Sequence, residues 1–287
     1  MIRIRVPATS ANLGPGFDCL GLAINRYADF IVTISEQNEC IGFEESENNL
    51  FLKAYQFACE QEQLQVHPLK VEMHSEIPMA RGLGSSAALI VAGVATALIE
   101  HSKSLDRTRL IQLSNLLEGH PDNIVPAIVG GLCASKHLFE KVEFIRYPVH
   151  ASYHFKLLVP DFTLSTEHSR KVLPPQISRE DAVYNLSQIP FLLDALSTGN
   201  SERLTWAITD RIHQNVRLNL HPDFKIITDN LASKHLAYYL SGAGPSLMVV
   251  TSEDESLLKS CLEGTQAKWS ILDVNLDTKG MAWSYET

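Results

Sequence analysis

The sequence contains few cysteines, and no two of them are spaced as in a metal-binding or redox motif. The five are scattered along the chain, at Cys19, Cys40, Cys59, Cys133 and Cys261. An odd number without a Cys-x-x-Cys pair predicts reduced thiols that act as small hydrophobic side chains. The eleven histidines also lack the spacings of common metal motifs, so we expect no structural zinc site.

Long apolar runs and blocks of positive charge are missing as well. No stretch of 18 or more uncharged apolar residues marks a membrane span. Residues 1–5 alternate as in a strand and not as in a signal peptide, so we expect a cytoplasmic protein. The formal net charge is −9, and without a basic block to neutralise phosphates a nucleic-acid partner is not expected. The composition is 45% hydrophobic and 20% charged, which is typical of a globular protein.

The most informative segment is residues 77–89, where a glycine-rich loop leads directly into an apolar helix. Gly82 and Gly84 allow positive φ angles and a close approach of the backbone to a ligand. Two hydroxyl groups follow, at Ser85 and Ser86. The helix predicted to begin at Ser86 directs its free amide groups, and the positive end of its dipole, toward whatever the loop holds. We interpret this segment as a phosphate-binding loop.

Two other phosphate-binding loops fit the segment less well. A P-loop ends in Gly-Lys-Ser/Thr, but no lysine occurs between Lys70 and Lys103. The dinucleotide pattern G-x-G-x-x-G/A is matched at residues 82–87, but its helix should lead to a strand that ends in an acidic residue. Here the pattern predicts a second helix, over residues 106–118, with no strand between. A dinucleotide-binding enzyme therefore stays only a distant alternative.

Hydrophobic periodicity along the rest of the chain predicts mixed strands and helices in an α+β order. Strands are predicted at residues 2–6, 28–34, 69–73, 129–134, 142–147, 155–159, 237–240, 247–251 and 269–274. Helices are predicted at residues 49–60, 86–101, 106–118, 166–170, 179–198, 202–214, 223–234 and 253–263. Pro7 is expected to end the first strand, and Asp106 and Gly119 to cap the helix between them.

Three separated motifs together resemble those of the GHMP small-molecule kinases. The first covers residues 7–18, the second is Pro-x-x-x-Gly-Leu-Gly-Ser-Ser-Ala-Ala at residues 78–88, and the third is Ser-Gly-Ala-Gly-Pro-Ser at residues 241–246. They occur in the order found in the family and span nearly the whole chain. The Gly-Phe-Asp ending of the first motif and the His-Pro-Asp-Asn element at residues 120–123 most resemble the homoserine kinases within that superfamily.

This resemblance implies a fold and an activity. The fold is the α+β, two-domain GHMP kinase fold. Its N-terminal ATP-binding domain, at residues 1–150, is ribosomal-protein-S5-domain-2-like with a left-handed βαβ crossover, contrary to the usual rule. Its C-terminal domain, at residues 151–287, is ferredoxin-like. The implied activity is transfer of a phosphoryl group from ATP, with Mg²⁺, to L-homoserine, a step of threonine biosynthesis. A homodimer is left open.

The same resemblance assigns ligands to particular residues. The ATP-binding residues are Pro78, Met79, Ala80, Arg81, Gly82, Leu83, Gly84, Ser85, Ser86, Ala87 and Ala88. The metal ligands are Ser86 and Glu118, since Mg²⁺ takes one or two protein oxygens beside phosphates and water. The residues that bind homoserine are Asn12, Asp18, His120, Asn123, Thr166, Arg170, Arg217 and Gly244.

The zwitterionic substrate explains why such side chains are needed. Asp18 can pair with the ammonium group, and Arg170 and Arg217 can bind the carboxylate with their planar guanidinium groups. Asn12 and Asn123 can orient the hydroxyl group.

The candidates for catalysis itself are Asn123, Asp122 and Ser86. Other kinases of the superfamily use an aspartate as a base near the acceptor, and Asp122 could fill that role by sequence. We favour positioning and charge stabilisation, with Asn123 near the hydroxyl group, over a dedicated base.

Two further hypotheses stay open. One is a GHMP kinase with another acceptor, such as a mevalonate-pathway alcohol or a sugar, which would not need two arginines and an acidic partner. The other is a non-catalytic nucleotide-binding protein of the same fold, which would bind ATP without releasing ADP when an acceptor is added.

Overall fold

The structure is a computed structural model that describes residues 1–43, 49–139, 141–251 and 255–286. In these ranges the strands are β1 (Ile2–Ala11), β2 (Leu20–Ile34), β3 (Glu39–Ile41), β4 (Leu69–Ser75), β5 (Leu132–Leu138), β6 (Lys141–Tyr147), β7 (Phe155–Pro160), β8 (Ala237–Leu240), β9 (Leu247–Val250), β10 (Trp269–Val274) and β11 (Ala282–Tyr285). The helices are α1 (Leu50–Glu62), α2 (Ser85–Ser102), α3 (Arg107–Glu118), α4 (Pro121–Val129), α5 (Thr166–Lys171), α6 (Arg179–Thr198), α7 (Ser201–Ala207), α8 (Gln214–Leu218), α9 (Pro222–Ser233) and α10 (Glu255–Cys261).

The first sheet is built around β2, which pairs antiparallel with β1, β4 and β5. Its order is β11-β1-β2-β4-β3, and β5 carries β6 on its other side. Inward-facing residues of neighbouring strands, such as Ile4 and Phe30, are paired and buried. The pairing of β3 with β4 is parallel, which requires a crossover, and α1 lies in that connection. The handedness of the crossover stays a prediction.

Helix α2 lies in the middle of the first core, as its apolar sequence predicts. It packs against α1 at Gly93, where an added Cβ would lie 2.3 Å from the carbonyl oxygen of Phe51. By length and composition, α2 is the one helix in the described ranges that could cross a membrane, but 61% of its apolar window is buried inside the protein. The core helix of a folded domain passes the same test, so this finding agrees with a central, packed helix.

The second sheet has the order β10-β7-β9-β8, and all its pairs are antiparallel. Along the chain its strands follow one another as β7, β8, β9 and β10. Helices lie between β7 and β8 and between β9 and β10. This βαββαβ arrangement is ferredoxin-like. Its helical face covers a second core that contains Leu158, Phe224, Ile227, Leu231 and Leu247. The predicted α+β class and two-domain architecture are therefore confirmed.

The chain returns to the first sheet at its end. Strand β11 pairs antiparallel with β1, with Ile2 opposite Tyr285 and Arg5 opposite Ala282. Residues from beyond position 150 therefore complete the sheet of the N-terminal half. The domain boundary at residue 150 stays a prediction.

Several predicted element boundaries are wrong. Pro7 does not end the first strand, because a register shift between Pro7 and Ala8 lets β1 continue to Ala11. The helix predicted over residues 202–214 is two helices, because Asp210 accepts hydrogen bonds from three backbone amides of the following turn. The apolar residues before β5 form helix α4, and β3 and β11 were not predicted. Residues 253 and 254 of the last predicted helix lie outside the described residues.

Most of the cysteines behave as predicted. Cys59 and Cys133 are fully buried, whereas Cys19 is exposed. Burial raises the pKa of Cys59 to about 11 and that of Cys133 to about 12. Such thiols stay protonated and pack as small hydrophobic groups.

Candidate active site

The three sequence motifs meet around the glycine-rich loop. The carbonyl oxygen of Leu83 accepts a hydrogen bond from the backbone of Thr9 at 3.2 Å, and that of Gly82 accepts one from the Ser241 hydroxyl at 2.6 Å. Ser10 and Ser241 are joined by a 2.7 Å hydrogen bond between their hydroxyl groups. Segments that lie more than 150 residues apart in the chain therefore hold one loop in place.

Both glycines of the loop are required by these contacts. Gly82 and Gly84 have φ angles of 72° and 70°. A Cβ on Gly82 would lie 2.2 Å from the carbonyl oxygen of Ser241, and one on Gly84 would lie 2.0 Å from the Thr9 hydroxyl oxygen. Gly84 is also the N-cap of α2 and offers no side-chain hydrogen bond to the first-turn amides, which suits an anion at this helix end.

An open cleft lies in front of the loop. It is lined by side chains from both halves of the chain, including most of the residues that the sequence assigns to ligands. These lining residues are Asn12, Asp18, Ala80, Gly82, Leu83, Gly84, Ser85, Ser86, Glu118, His120, Asp122, Asn123, Leu164, Thr166, Arg170, Arg217, Gly242 and Ala243.

Some of the predicted ATP-binding residues do not line this cleft. Ala87 and Ala88 are buried residues in the first turn of α2, and Pro78 and Met79 lie outside the lining. The Arg81 side chain donates to the carbonyl oxygens of Pro160 and Asp161, so it attaches the loop to the second half of the chain.

Gly244, predicted to contact substrate, does not line the cleft either. Its carbonyl oxygen lies behind the glycine-rich loop, 2.8 Å from where a Cβ on Gly82 would be. Its neighbours Gly242 and Ala243 line the cleft in its place.

Asp18 and Arg170 are paired with each other. Arg170 donates to both carboxylate oxygens of Asp18, at 2.7 and 3.1 Å. The hydrogen bond that Arg170 donates to Asp18 is the main reason why the pKa of Arg170 is raised. The sequence assigned opposite ends of a zwitterion to these residues, and 152 positions separate them. A ligand that carries both charges would find both partners side by side.

Arg217 is the other cleft arginine and is 1% exposed. Its Nε donates to the carbonyl oxygen of Ser169, and its Nη1 donates to that of Gly242 and to Nδ1 of His213. Within the described residues Nη2 has no protein acceptor, so it is left for a ligand. Burial, with the nearby charge of Arg170 added, lowers the pKa of Arg217 to about 10.

His213 was not among the predicted site residues, and it holds this arginine in place. It is fully buried, and burial lowers its pKa, so its imidazole is neutral. Its Nε2 lies 2.9 Å from the carbonyl oxygen of Gly14 and its Nδ1 lies 3.1 Å from Arg217. Since a carbonyl only accepts and a guanidinium only donates, Nε2 carries the proton.

Phe17 was also missed, although it is the middle residue of the Gly-Phe-Asp ending. Its ring stacks on His213 at 5.0 Å, and the guanidinium carbons of Arg170 and Arg217 lie 5.7 and 5.2 Å from the ring centre. An aromatic face attracts such cations. For His213 the sequence did offer a signal, which was its spacing from Arg217. Residues four positions apart are neighbours on one face of a helix.

A hydrogen-bond chain runs across the start of α4. His120 Nδ1 and Asn123 Nδ2 both donate to Oδ1 of Asp122, at 2.9 and 3.2 Å. The Thr9 hydroxyl donates to Oδ1 of Asn123 at 2.7 Å. Burial alone would lower the pKa of His120, but the hydrogen bond and charge of Asp122 outweigh it, so the pKa is raised. Asp122 is 2% exposed, and both partners bind the same oxygen, Oδ1.

Ser86 and Glu118 meet on the other wall of the cleft. The Ser86 hydroxyl donates to Oε2 of Glu118 at 3.1 Å. Burial is the main reason why the pKa of Glu118 is raised, and the charge of His120 only partly offsets it. A hydroxyl and a carboxylate oxygen beside a phosphate-binding loop are the kind of donors that Mg²⁺ prefers.

Comparison with known proteins places this arrangement among kinases. The family described as "GHMP kinases N terminal domain" matches residues 49–131. A homoserine kinase of Clostridium botulinum is 37% identical over 98% of this chain and 97% of its own length. One of Caldicellulosiruptor bescii is also 37% identical, over 98% of this chain and 96% of its own length.

Solved structures agree on the fold. The crystal structure of a homoserine kinase from Cytophaga hutchinsonii matches with a TM-score of 0.85 at 22% identity, over 99% of this chain and 97% of that one.

Proposed function

The chain belongs to the homoserine kinase family of GHMP kinases, and from that membership we propose that it transfers the γ-phosphoryl group of ATP to the terminal hydroxyl group of L-homoserine. The products are ADP and O-phospho-L-homoserine, and the reaction is a step of threonine biosynthesis. One observation carries the choice of acceptor: a carboxylate and two guanidinium groups, from Asp18, Arg170 and Arg217, line one cleft in front of the phosphate loop. A small alcohol without an ammonium and a carboxylate group would leave Arg217 without an anionic partner and would make no use of the Asp18–Arg170 pair.

The phosphates of ATP are bound by the loop at residues 82–86 and by the first amides of α2. The positive φ angles of Gly82 and Gly84 and the uncapped helix start support this assignment. A helix N-terminus with no side-chain cap binds an anion through its free amides and its dipole.

Ser86 and Glu118 would hold Mg²⁺, and their 3.1 Å contact at the cleft wall supports this role. The chemistry that a bound Mg²⁺ would supply there is charge neutralisation, both of the phosphates and of the charge that develops in the transition state. Because burial raises the pKa of Glu118, the carboxylate is lost to protonation at a higher pH than for an ordinary glutamate. Affinity for the metal should fall correspondingly early on acidification.

The zwitterionic end of homoserine binds between Asp18 and the two arginines. The ammonium group pairs with the carboxylate of Asp18, which Arg170 also contacts. The substrate carboxylate accepts hydrogen bonds from Arg170 and from Nη2 of Arg217. The existing Asp18–Arg170 pair already holds both side chains in the cleft, so less side-chain freedom is lost when substrate binds. Asn12 and Thr166 lie on the same lining and complete the site.

The acceptor hydroxyl is positioned by Asn123 and His120. Asp122 accepts hydrogen bonds from both, which supports a role in holding them and not a role as a base. A raised pKa keeps more of His120 protonated near neutral pH, so its charge can offset that of the transferring phosphoryl group. Catalysis is then positioning and charge stabilisation, as phosphoryl transfer allows.

A coupled ADP-release assay tests the proposal directly. Purified protein is given ATP, Mg²⁺ and, in parallel, L-homoserine, mevalonate or galactose. We expect ADP release that depends on homoserine alone. Release with mevalonate or galactose only would move the chain to another GHMP specificity, and ATP binding with no acceptor-dependent release would indicate a non-catalytic protein.

Three further predictions from the sequence are part of this proposal, and each stays a prediction. They are the domain division at residues 150 and 151, the cytoplasmic location and the homodimer.

A further inference from the structure

A second group of ligand-capable side chains lies at the far end of α2 from the phosphate loop. His67, Glu100 and His101 each offer one ligand atom, and these atoms lie within 4.8 Å of one another. His67 precedes β4, whereas Glu100 and His101 are in the last turn of α2. No sequence motif marks the group, because 33 residues separate its first two members.

The charge of Glu100 is poorly compensated by protein groups. Its side chain is only 9% exposed, and among the described residues its ion-pair partners are His67 and His101. A buried carboxylate is stabilised by a positive partner, and a metal ion bound by both histidines would supply that charge.

The three ligand atoms lie close enough together to share one ion. Zinc bonds of about 2.0–2.1 Å in a tetrahedron place neighbouring ligand atoms roughly 3.3–3.4 Å apart. His101 Nε2 lies 3.6 Å from Oε2 of Glu100, near that value, whereas His67 Nδ1 lies 2.5 Å from Oε1, a hydrogen-bond distance that a bound ion would have to lengthen. The carbonyl oxygen of Gln65 accepts a hydrogen bond from His101 Nε2 at 3.0 Å, so Nε2 gives up that proton when it binds the ion. The freed carbonyl oxygen or a water molecule can then be the fourth ligand.

The surroundings also favour a cation. The Tyr55 hydroxyl donates to Oε2 of Glu100 at 2.8 Å and accepts from the backbone of His67 at 3.0 Å. Such outer contacts orient metal ligands. The last carbonyl groups of α2 carry the negative end of its dipole. The rings of His67 and His101 are stacked at 5.7 Å, so both are already side by side.

We propose that His67, Glu100 and His101 form a binding site for Zn²⁺ or a similar divalent transition metal. Two nitrogens and a carboxylate suit zinc, whereas Mg²⁺ prefers oxygen ligands, so this site is chemically distinct from the one at Ser86 and Glu118. The metal replaces the proton between His67 and Glu100 and links the end of α2 to the segment before β4. Although no zinc site was expected from the sequence, the structure assembles one from two separate segments.

The test uses the full chain without an affinity tag and without ATP. Zn²⁺ is titrated by calorimetry, Co²⁺ is added to follow the absorption of a tetrahedral cobalt centre, and thermal unfolding is compared with Zn²⁺ and with EDTA. We expect a cobalt spectrum and a higher Tm with Zn²⁺. His67→Ala and His101→Ala should abolish the spectrum, and Tyr55→Phe should weaken Zn²⁺ binding about 10- to 100-fold, as loss of an outer contact does.

Two control variants separate this site from other sources of binding. His74→Ala removes a histidine that contacts Glu72 at 2.8 Å but belongs to neither of the three-residue groups, so it should leave binding unchanged. His120→Ala removes a histidine of the Asp18–His120–Asp122 group in the cleft. A cobalt spectrum that persists in His67→Ala and disappears in His120→Ala would overturn the proposal. So would the absence of any spectrum or Tm shift in the unaltered protein, which would leave a proton as the partner of Glu100.

Discussion

Arg217 shows how a single buried residue depends on another that never touches the substrate. His213 accepts a hydrogen bond from Arg217 and is itself anchored on Gly14. We predict that His213→Ala raises KM for homoserine and leaves KM for ATP nearly unchanged. Loss of a hydrogen bond to a charged group costs about 1.5–3 kcal/mol, so kcat/KM for homoserine should fall about 10- to 100-fold. Steady-state kinetics with each substrate varied in turn measure this.

Two further variants show whether this effect comes from the orientation of Arg217. His213→Asn keeps an acceptor near Nδ1 and should recover part of the lost homoserine affinity. His137→Ala, at an exposed position on β5, should change neither KM. Equal losses of ATP and homoserine affinity in His213→Ala would point to general damage to the fold instead.

Asp122 is the residue whose role the sequence left undecided, and its contacts predict the outcome of replacing it. If it holds His120 and Asn123, Asp122→Asn lowers kcat by less than about tenfold, whereas loss of a general base costs about 10²–10⁴ in kcat. Measurement of kcat and KM for both substrates separates the two roles, and a collapse of kcat with unchanged KM would establish a base.

The titration of His120 gives an independent measure of the same contact. In the native protein its pKa is raised by Asp122, so the stability from this group is fully present below the unfolded pKa of about 6.5 and is lost as pH rises through the folded pKa. Without the Asp122 charge, burial dominates. We predict that Asp122→Asn lowers the pKa of His120 in an NMR titration, and an unchanged pKa would mean that Asp122 does not control it.

At the scale of elements, the glycine-rich loop is held in place by the two other motifs, through Thr9 and Ser241. We predict that Gly84→Ala raises KM for ATP more than about tenfold and lowers Tm, since its Cβ would collide with Thr9 at a φ angle that costs about 1–2 kcal/mol for alanine. Enzyme kinetics and thermal unfolding measure the two effects.

A matched glycine isolates the collision from the backbone strain. Gly264 has a φ angle of 86°, and a Cβ there would meet only Ile226, at 4.0 Å. Gly264→Ala should therefore lower Tm by the strain alone and leave ATP binding intact. If Gly84→Ala behaved in the same way, the loop would not need its close packing against β1.

Elements with strong local signals were predictable, and those defined by distant contacts were not. Helix α6 and strands β8 and β10 have the predicted bounds, because periodicity and caps such as Ser178 act locally. Helix α4 is rich in β-branched residues and contains Pro126, so its local preference points away from a helix and packing overrides it. Strand β3 has three residues, too few for a periodic signal.

The same distinction applies to the candidate site. Residues inside a motif, such as Ser86 and Asn123, could be selected from the sequence with the help of a family resemblance. The Asp18–Arg170 pair could not, because only the folded chain brings these residues together. His213 was missed because its role depends on complete burial, which a polar residue beside a short helix does not reveal.

At the scale of the whole molecule, the two halves of the chain are interlocked. The phosphate loop of the first half is held by Ser241 and anchored on Pro160 through Arg81. The first sheet is closed on one edge by β11 from the end of the chain. An ATP site that forms only with both halves in place couples nucleotide binding to the integrity of the whole chain.

Strand β11 allows that interlocking to be tested away from the cleft. Removal of residues 281–287 exposes the edge of β1, breaks the hydrogen bond from the Met281 backbone to Ala127 and removes the Met281 side chain, which is 1% exposed. We predict a loss of at least about 2 kcal/mol in the free energy of unfolding, since burial of one such side chain alone contributes about 1.5–3 kcal/mol. Urea unfolding measures this.

No residue of β11 lines the cleft, so KM for both substrates should stay near the native values at low temperature. Unchanged stability would show that the end of the chain only covers the sheet and does not hold it together.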